Sequence, residues 1–212
     1  MVHPCTTLTR QQNKTYNIAG LIILAVSLLN ACSPLPRIDS DTLSQYWLEH
    51  QIAVSEINSW KIKGRIAVRT EKESGTATLH WNQYNSSYEL RIIAPFGQGT
   101  YLLKGSPEGV IMQGPKKKVL TAETAEELLY EGLGWDIYLA GLKYWIRGLP
   151  EPDIDYSHLL LDEEGRLTNI EQSGFTVSVS RYTDQDGVSL PEKLYIKNDN
   201  IQLKFVIKNW DI

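Results

Sequence analysis

The sequence predicts a mainly β (α+β) domain, a strongly curved antiparallel half-barrel of about eleven strands with helices covering its concave face. Three observations predict this class. Short runs in which apolar and polar residues alternate recur along most of the 212-residue chain. Clusters of Gly, Pro and Asn separate these runs, as in an antiparallel meander. Only three stretches have helical spacing, too few to cover both faces of so large a sheet, so the sheet is expected to curl.

The amino terminus, residues 1–31, has the features of an export signal. Its first 17 residues contain Arg10 and Lys14 and no acid, and residues 18–29 carry no charge. An apolar run of this length is shorter than the roughly 20 residues that span a bilayer. Removal of residues 1–31 changes the formal charge from −4 to −6, because two basic residues and no acidic residue leave. A nucleic-acid binder is expected to be basic, so this balance argues against such a partner.

The segment at residues 29–32, Leu-Asn-Ala-Cys, resembles a bacterial lipobox. Ala31 is small enough for a signal-peptidase pocket, and Cys32 is the thiol that would take the lipid. Residues 32–38 are then the lipidated terminus and a tether with two prolines. Each buried methylene contributes about 0.8 kcal/mol, so three acyl chains would anchor the chain permanently. Ser33 follows the cysteine, which among similar lipoproteins accompanies sorting to the outer membrane. The alternative is an ordinary cysteine after a conventionally cleaved signal.

Residues 39–212 are predicted to form a single domain that begins with a helix. Asp39 or Ser40 can cap this helix, which runs to about residue 57 with apolar positions at helical spacing. The spacing changes to two residues at Trp60, where apolar residues alternate with Lys and Arg along the first strand. Further runs of the same character follow, and the predicted strands are 60–69, 76–81, 88–94, 100–104, 110–113, 117–121, 158–161, 167–172, 175–182, 193–197 and 201–209.

Two more helices are predicted between the sixth and seventh strands. Thr121 can cap the first, over residues 121–129, and the acids in its early turns suit the positive end of a helix. The second helix, over residues 137–147, ends at a glycine that is closely followed by a proline, in the sequence 148–150. Both helices are expected to lie across the concave face of the sheet.

Alternation along the strands predicts which residues face the interior of the half-barrel. Periodicity alone leaves open whether that interior is a packed core or a ligand cavity. The residues predicted to form the wall of such a cavity are Trp60, Ile62, Ile66, Leu79, Trp81, Leu90, Ile92, Leu102, Met112 and Trp145.

Residues that could carry catalysis or bind a metal are sparse. The three histidines after the signal, His50, His80 and His158, have no metal-ligand spacing, and neither a nucleophile elbow nor a phosphate loop occurs. The sequence therefore predicts no enzyme, no metal and no cofactor. The lysine run 116–118 is predicted to be a solvated hairpin end, with contact to anionic lipid head groups as the alternative.

The loop of residues 95–99, Pro-Phe-Gly-Gln-Gly, places an aromatic residue where turns usually carry polar ones. Phe96 either folds back beneath the sheet or is exposed. An exposed phenylalanine held between Pro95 and Gly97 is suited to enter a bilayer interface.

Taken together, these residues resemble the LolB family of outer-membrane lipoprotein receptors. The resemblance extends over nearly all of residues 39–212. It rests on the lipobox and, in order, on Trp60-Lys61-Ile62-Lys63-Gly64-Arg65, Leu79-His80-Trp81, Pro95-Phe96-Gly97, Leu142-Lys143-Tyr144-Trp145-Ile146-Arg147-Gly148-Leu149-Pro150, Leu190-Pro191 and Asn209-Trp210.

The resemblance implies a half-barrel around a hydrophobic cavity that holds the acyl chains of a client lipoprotein. It implies a monomer that takes triacylated lipoproteins from the periplasmic carrier LolA and releases them into the inner leaflet of the outer membrane, without a cofactor. Phe96 would then be the membrane probe and Cys32 the anchor. Two alternatives remain at this point: a carrier of another lipid, and an envelope scaffold lipoprotein with a packed interior.

Overall fold

The structure, a computed structural model, describes residues 40–94 and 99–212, apart from the side chain of Lys117. The predicted signal, the lipobox with Cys32, the tether, and Pro95, Phe96 and Gly97 lie outside these residues. All of the described residues belong to one unit, Asp39–Ile212, which is compact by itself. A chain that starts after Cys32 therefore contains the whole of the described core.

The described residues form a single sheet of eleven antiparallel strands. The strands are β1 Ser59–Thr70, β2 Ser74–Tyr84, β3 Ser87–Ile93, β4 Thr100–Ser106, β5 Gly109–Gln113, β6 Val119–Ala122, β7 Tyr156–Leu161, β8 Leu167–Gln172, β9 Phe175–Gln185, β10 Val188–Lys197 and β11 Ile201–Asp211. Their order across the sheet is β6-β5-β4-β3-β2-β1-β11-β10-β9-β8-β7. Because β6 and β7 lie at opposite edges, the sheet is an open half-barrel, and the predicted fold class is confirmed.

Three α-helices accompany this sheet in the described part of the chain: α1 Ser40–Ser55, α2 Ala125–Leu133 and α3 Leu139–Trp145. The second helix starts later than predicted, because Thr124 rather than Thr121 is its cap and Thr124 Oγ1 accepts a hydrogen bond from Glu127 N at 3.3 Å. A short 3₁₀ turn at Pro115–Lys117 occupies the place where the sixth strand was expected to begin. Among the helices described, none is long and apolar enough to cross a membrane.

One irregularity that bends the sheet lies where β1 meets β11. The pairing register of these strands shifts between Lys63 and Gly64, which is a bulge that bends the sheet. A Cβ atom on Gly64 would lie 2.4 Å from the backbone oxygen of Val206. The two strands can approach this closely only because residue 64 has no side chain.

The hydrophobic core fills the concave side of the sheet. Trp60 lies beside Trp81 and Trp210, with ring centroids 5.0 and 5.6 Å apart, so aromatic residues of three adjacent strands form one end of the core. The carboxyl end of α3 is fixed to the sheet by polar contacts, since Trp145 Nε1 donates a hydrogen bond to Oε1 of the buried Gln172 at 2.8 Å. The three helices are therefore positioned around a single apolar interior.

Candidate functional site

The inner wall of the half-barrel is built from rows of residues that face each other across neighbouring strands. Trp81 pairs with Ile62 on one side and with Leu90 on the other, and Leu79 pairs with Ile92 in the next inward row. Nine of the ten residues predicted to line the cavity are buried, eight of them on the strands and Trp145 on α3: Trp60, Ile62, Ile66, Leu79, Trp81, Leu90, Ile92, Met112 and Trp145.

Leu102 is the exception, and its placement in the wall was wrong. Leu102 pairs with Arg91 and Gln113, which are both exposed, so it lies on the outer face of the sheet. Its neighbour Leu103 faces inward between Leu90 and Met112 and is 1% exposed. Strand β4 carries consecutive apolar residues at 101–103, which conceal the phase of the alternation.

Helical and coil residues that the sequence did not assign to the site cover this wall. Helix α2 contributes Leu128 and Leu129, and α3 contributes Leu142, all of them almost fully buried. Trp135 and Ile137, from the segment between the two helices, are also buried. The helical spacing of the leucines is a detectable pattern, whereas the segment with Trp135 has no period that marks it as inward-facing.

The innermost apolar space between wall and cover is small, and a separate pocket of about 250 Å³ lies nearer the start of α2, where Trp81, Tyr88 and Glu126 line it. An apolar void of about 20 Å³ lies among the side chains of Ile66, Leu79, Trp81, Leu90, Ile92, Leu129, Trp135, Ile137, Leu139, Leu142 and Phe205. One water molecule needs a cavity of roughly 10–15 Å³, so the void is far smaller than a long acyl chain requires. In this conformation the interior expected from the family resemblance is filled by side chains of α2, α3 and the segment between them.

An open cleft adjoins this void at the end of the sheet where β1 turns into β2. The cleft has a volume of about 640 Å³ and shares Ile92 and Trp135 with the void. Trp135 therefore stands between the cleft and the packed interior. Ala94, the residue directly before the predicted membrane loop, also lines the cleft. Its full lining is Arg65, Val68, Glu73, Ser74, Gly75, Thr76, Ala77, Ile92, Ala94, Tyr101, Leu133 and Trp135.

Polar contacts join the covering helices to one another and to the loop after α3. Glu126 Oε1 accepts hydrogen bonds from the backbone nitrogens of Leu139 and Ala140 at 2.8 and 3.3 Å, and so caps the start of α3. The Tyr138 hydroxyl donates to Glu151 Oε1 at 2.9 Å, and burial together with this hydrogen bond raises the pKa of Tyr138 to about 12. The phenol thus remains a hydrogen-bond donor throughout the physiological pH range.

Buried ionisable and polar groups near the site have structural roles. Burial, with a contribution from Glu126, raises the pKa of Tyr88 to about 12. Gln83 Oε1 accepts a hydrogen bond from Trp81 Nε1 at 3.1 Å, which satisfies the indole donor within the wall. Within residues 40–94 and 99–212, no group of three His, Cys, Asp or Glu side chains is arranged to hold a metal ion. The residues brought together here form an apolar surface with satisfied polar groups at its edge.

The fold described above also occurs among solved structures. The crystal structure of a LolA superfamily protein, NE2245 from Nitrosomonas europaea, matches with a TM-score of 0.52, covering 83% of this chain and 94% of that one at 10% identity. That likeness shows a shared fold.

The chain belongs to the LolB family, because the family model described as outer membrane lipoprotein LolB matches residues 58–210. Outer-membrane lipoprotein LolB of Nitrosococcus oceani is 35% identical over 195 residues, which are 91% of this chain and 96% of that protein. The LolB of Pseudomonas aeruginosa PAO1 is 35% identical over 189 residues, 88% of this chain and 92% of that protein. The resemblance inferred from the motifs is confirmed, and with it an outer-membrane lipoprotein of Gram-negative bacteria.

Proposed function

We propose that the protein accepts acylated lipoproteins from the periplasmic carrier LolA beneath α2 and α3 and inserts them into the outer membrane. The observation that carries this proposal is the continuous apolar face beneath the helices, which adjoins the open cleft at Trp135. The names of its relatives and its fold support a place in lipoprotein sorting. No catalytic chemistry is required for such a transfer.

A carrier of this kind is needed because an acyl chain is insoluble. Each methylene exposed to water costs about 0.8 kcal/mol, so a sixteen-carbon chain exposes on the order of 12 kcal/mol. A client therefore passes from one apolar environment to the next without crossing water. The direction of transfer requires only that this site binds the chain more tightly than the donor does, and that the membrane binds it more tightly still.

The void of about 20 Å³ sets a condition on this function. An acyl chain can enter only if side chains of the cover withdraw from the wall and the chain takes their place. The described contacts of α2 with the sheet are mainly apolar, through Leu128 and Leu129, and an acyl chain can replace such contacts at little cost. The cleft beside Trp135 is the entry route, since Trp135 and Ile92 border both the cleft and the void.

The same small void favours a second candidate, an envelope scaffold with a permanently packed interior. Leu103 and Leu102 can be used to distinguish the carrier from the scaffold, because they are neighbours on β4 that face the inner and the outer side of the sheet. A photoreactive benzoylphenylalanine at Leu103 is expected to crosslink to the acyl chain of a client lipoprotein loaded from the carrier. The same group at Leu102 is the matched control and is expected to give no acyl crosslink.

Equal crosslinking at the two positions would exclude the acyl-chain site and favour the scaffold. The same conclusion would follow if the Leu103 variant unfolds at the wild-type temperature and gives no crosslink. The photoreactive group is larger than leucine, so unfolding is measured for both variants before crosslinking. A third position, Ile92, repeats the inward measurement at the rim of the cleft, where the added volume is better tolerated.

A further inference from the structure

The lysine run at residues 116–118 lies beside Gly99, at the end of the sheet where β4 begins. Backbone hydrogen bonds from Gly114 N to Lys118 O (2.8 Å) and from Lys118 N to Pro115 O (3.4 Å) close the turn that carries these lysines. A Cβ atom on Gly99 would lie 2.5 Å from Cγ of Pro115. The turn is therefore packed directly against Gly99.

Two lysines of this turn project into solvent. Lys116 and Lys118 are exposed, and within the described residues neither side chain makes a hydrogen bond or an ion pair. Lys116 has a φ of 59°, a left-handed conformation that non-glycine residues rarely adopt. The turn thus displays positive charge that no acidic group of the described chain neutralises by contact.

This basic turn contrasts with the charge of the chain as a whole. The protein has a formal charge of −4. The parts of β3 to β6 nearest the turn, residues 91–94, 99–104 and 111–122, contain basic residues and no acidic residue. Two of those basic residues, Arg91 and Lys104, are ion-paired with Glu89, so the unpaired charge is concentrated on the lysine turn.

Apolar side chains are exposed beside the lysines on the outer face of the sheet. Val119, which directly follows the turn, is 59% exposed, and Ile93, at the end of β3, is 37% exposed. Leu102 lies half-buried on the same face. Basic and apolar groups side by side at one edge are the combination that binds the surface of an anionic bilayer, where lysines meet head groups and apolar side chains enter the interface.

We infer that the lysine turn and its apolar neighbours form a docking surface for the anionic phospholipids of the target bilayer. The surface holds the cleft against the membrane during delivery. This inference rests on the proposed function in one respect, namely that this end of the half-barrel faces the bilayer. The ligand is the bilayer surface, in which phosphate groups and an apolar interface occur together.

The test is flotation of the chain that starts at Ser33, which lacks the lipid and contains the whole described core. Vesicles of phosphatidylcholine alone are compared with vesicles in which phosphatidylglycerol replaces part of it. A lysine near an anionic surface contributes roughly fivefold to partitioning, so the double variant K116Q/K118Q is expected to bind the anionic vesicles about 30-fold more weakly. K204Q/K208Q, which removes the same charge from exposed positions on β11, is expected to change binding less than about twofold, because salt screens charges distant from the surface.

The preference of the wild type for anionic vesicles is expected to weaken as salt increases, and soluble inorganic phosphate at the same ionic strength should not compete further. Equal losses in the two double variants, or a wild type that binds both vesicle types alike, would overturn the inference. Competition by inorganic phosphate would also overturn it, because the turn would then be a simple anion site. No client is present in this measurement, so its result is independent of the crosslinking test at Leu103.

Discussion

Glu126 on α2 accepts a hydrogen bond from the backbone nitrogen of Leu139 at the start of α3, at 2.8 Å. One side chain therefore provides the amino-terminal cap of the neighbouring helix. Because the carboxylate bridges both helices, displacement of α2 from the sheet either carries α3 with it or breaks the cap. The opposite end of α3 is held through Trp145 and the buried Gln172. Opening is therefore expected to begin at α2 and the segment with Trp135.

Replacing Glu126 with alanine is expected to destabilise the domain and to uncouple the two helices. Loss of a helix cap costs about 1 kcal/mol in free energy of unfolding. The same change removes a restraint on α2, so a fluorescent fatty acid should enter faster, which stopped-flow fluorescence measures. Glu131→Ala, at an exposed position of the same helix, is the control and should leave both quantities nearly unchanged. If E126A loses stability but admits the probe no faster, the cap does not restrain opening.

His50 is expected to make the stability of the domain pH-dependent. Burial, followed by the nearby charge of Arg166, lowers the pKa of His50, and its Nε2 is buried with no hydrogen-bond partner in the described chain. The unfolded state then binds a proton more readily than the folded state. The contribution of the neutral His50 to the free energy of unfolding should be fully present above pH 6.5, the ordinary pKa of histidine. The free energy of unfolding should fall as the pH decreases below that value, by at most about 1.4 kcal/mol per pH unit.

Urea unfolding between neutral and mildly acidic pH measures this slope. His50→Leu should flatten the slope, because the residue no longer binds a proton. Gln51→Ala, a change that adds and removes no titrating group on the same helix, should retain the wild-type slope. Identical slopes in wild type and H50L would assign the acid sensitivity to other residues. Trp47 of α1 and Tyr182 of β9 pack against the imidazole at ring-centroid distances of 6.2 and 6.1 Å. Protonation of His50 is therefore expected to weaken the packing of α1 against the sheet.

Gly64 is expected to tolerate no side chain. The Cβ of an alanine would meet the backbone oxygen of Val206 at 2.4 Å, and backbone within a paired strand cannot move aside. Overpacking of this kind costs typically about 1–3 kcal/mol and occasionally more. Gly75→Ala is the matched control, since a Cβ atom at that position would have no neighbouring atom within 4 Å. Urea unfolding should show a large loss for G64A and little change for G75A, and equal stabilities would mean that the bulge relaxes freely.

The strands and their inward faces follow from the sequence wherever polar and apolar residues alternate clearly. In β1, lysine and arginine occupy the solvent-exposed face, so Ile62 and Ile66 were correctly placed on the inner face. In β4 the residues at 101–103 are all apolar, and the phase depends on pairing with neighbouring strands, so Leu102 was placed on the wrong face. The start of α2 depended on a choice between two threonines that can both cap a helix, which local sequence does not decide.

The interior volume was beyond the reach of sequence patterns for a different reason. Alternation shows that a residue faces inward, but it does not show the distance between the helices and the sheet. Trp135 fills much of the remaining space, and it does so from a coil segment without periodicity. The difference between a packed interior and an open cavity is therefore a property of long-range packing, which only the three-dimensional structure reveals.

Phe96 remains a prediction from the sequence as the membrane-inserting residue of the loop that follows Ala94. Replacing it with glutamate should leave acceptance of a client unchanged, because this loop is predicted to act at the membrane and not in the acyl-chain site. Release into vesicles should slow by roughly tenfold or more, because burial of a phenylalanine side chain contributes about 1.5–3 kcal/mol and a carboxylate is excluded from the apolar interface. Transfer of a labelled lipoprotein from the carrier to the protein, and then to vesicles, measures the two steps separately. Phe96→Leu keeps an apolar side chain in the loop and should release clients at nearly the normal rate.

Normal release by F96E would show that this loop does not enter the bilayer. Impaired acceptance of clients by F96E would show that residue 96 belongs to the binding site instead.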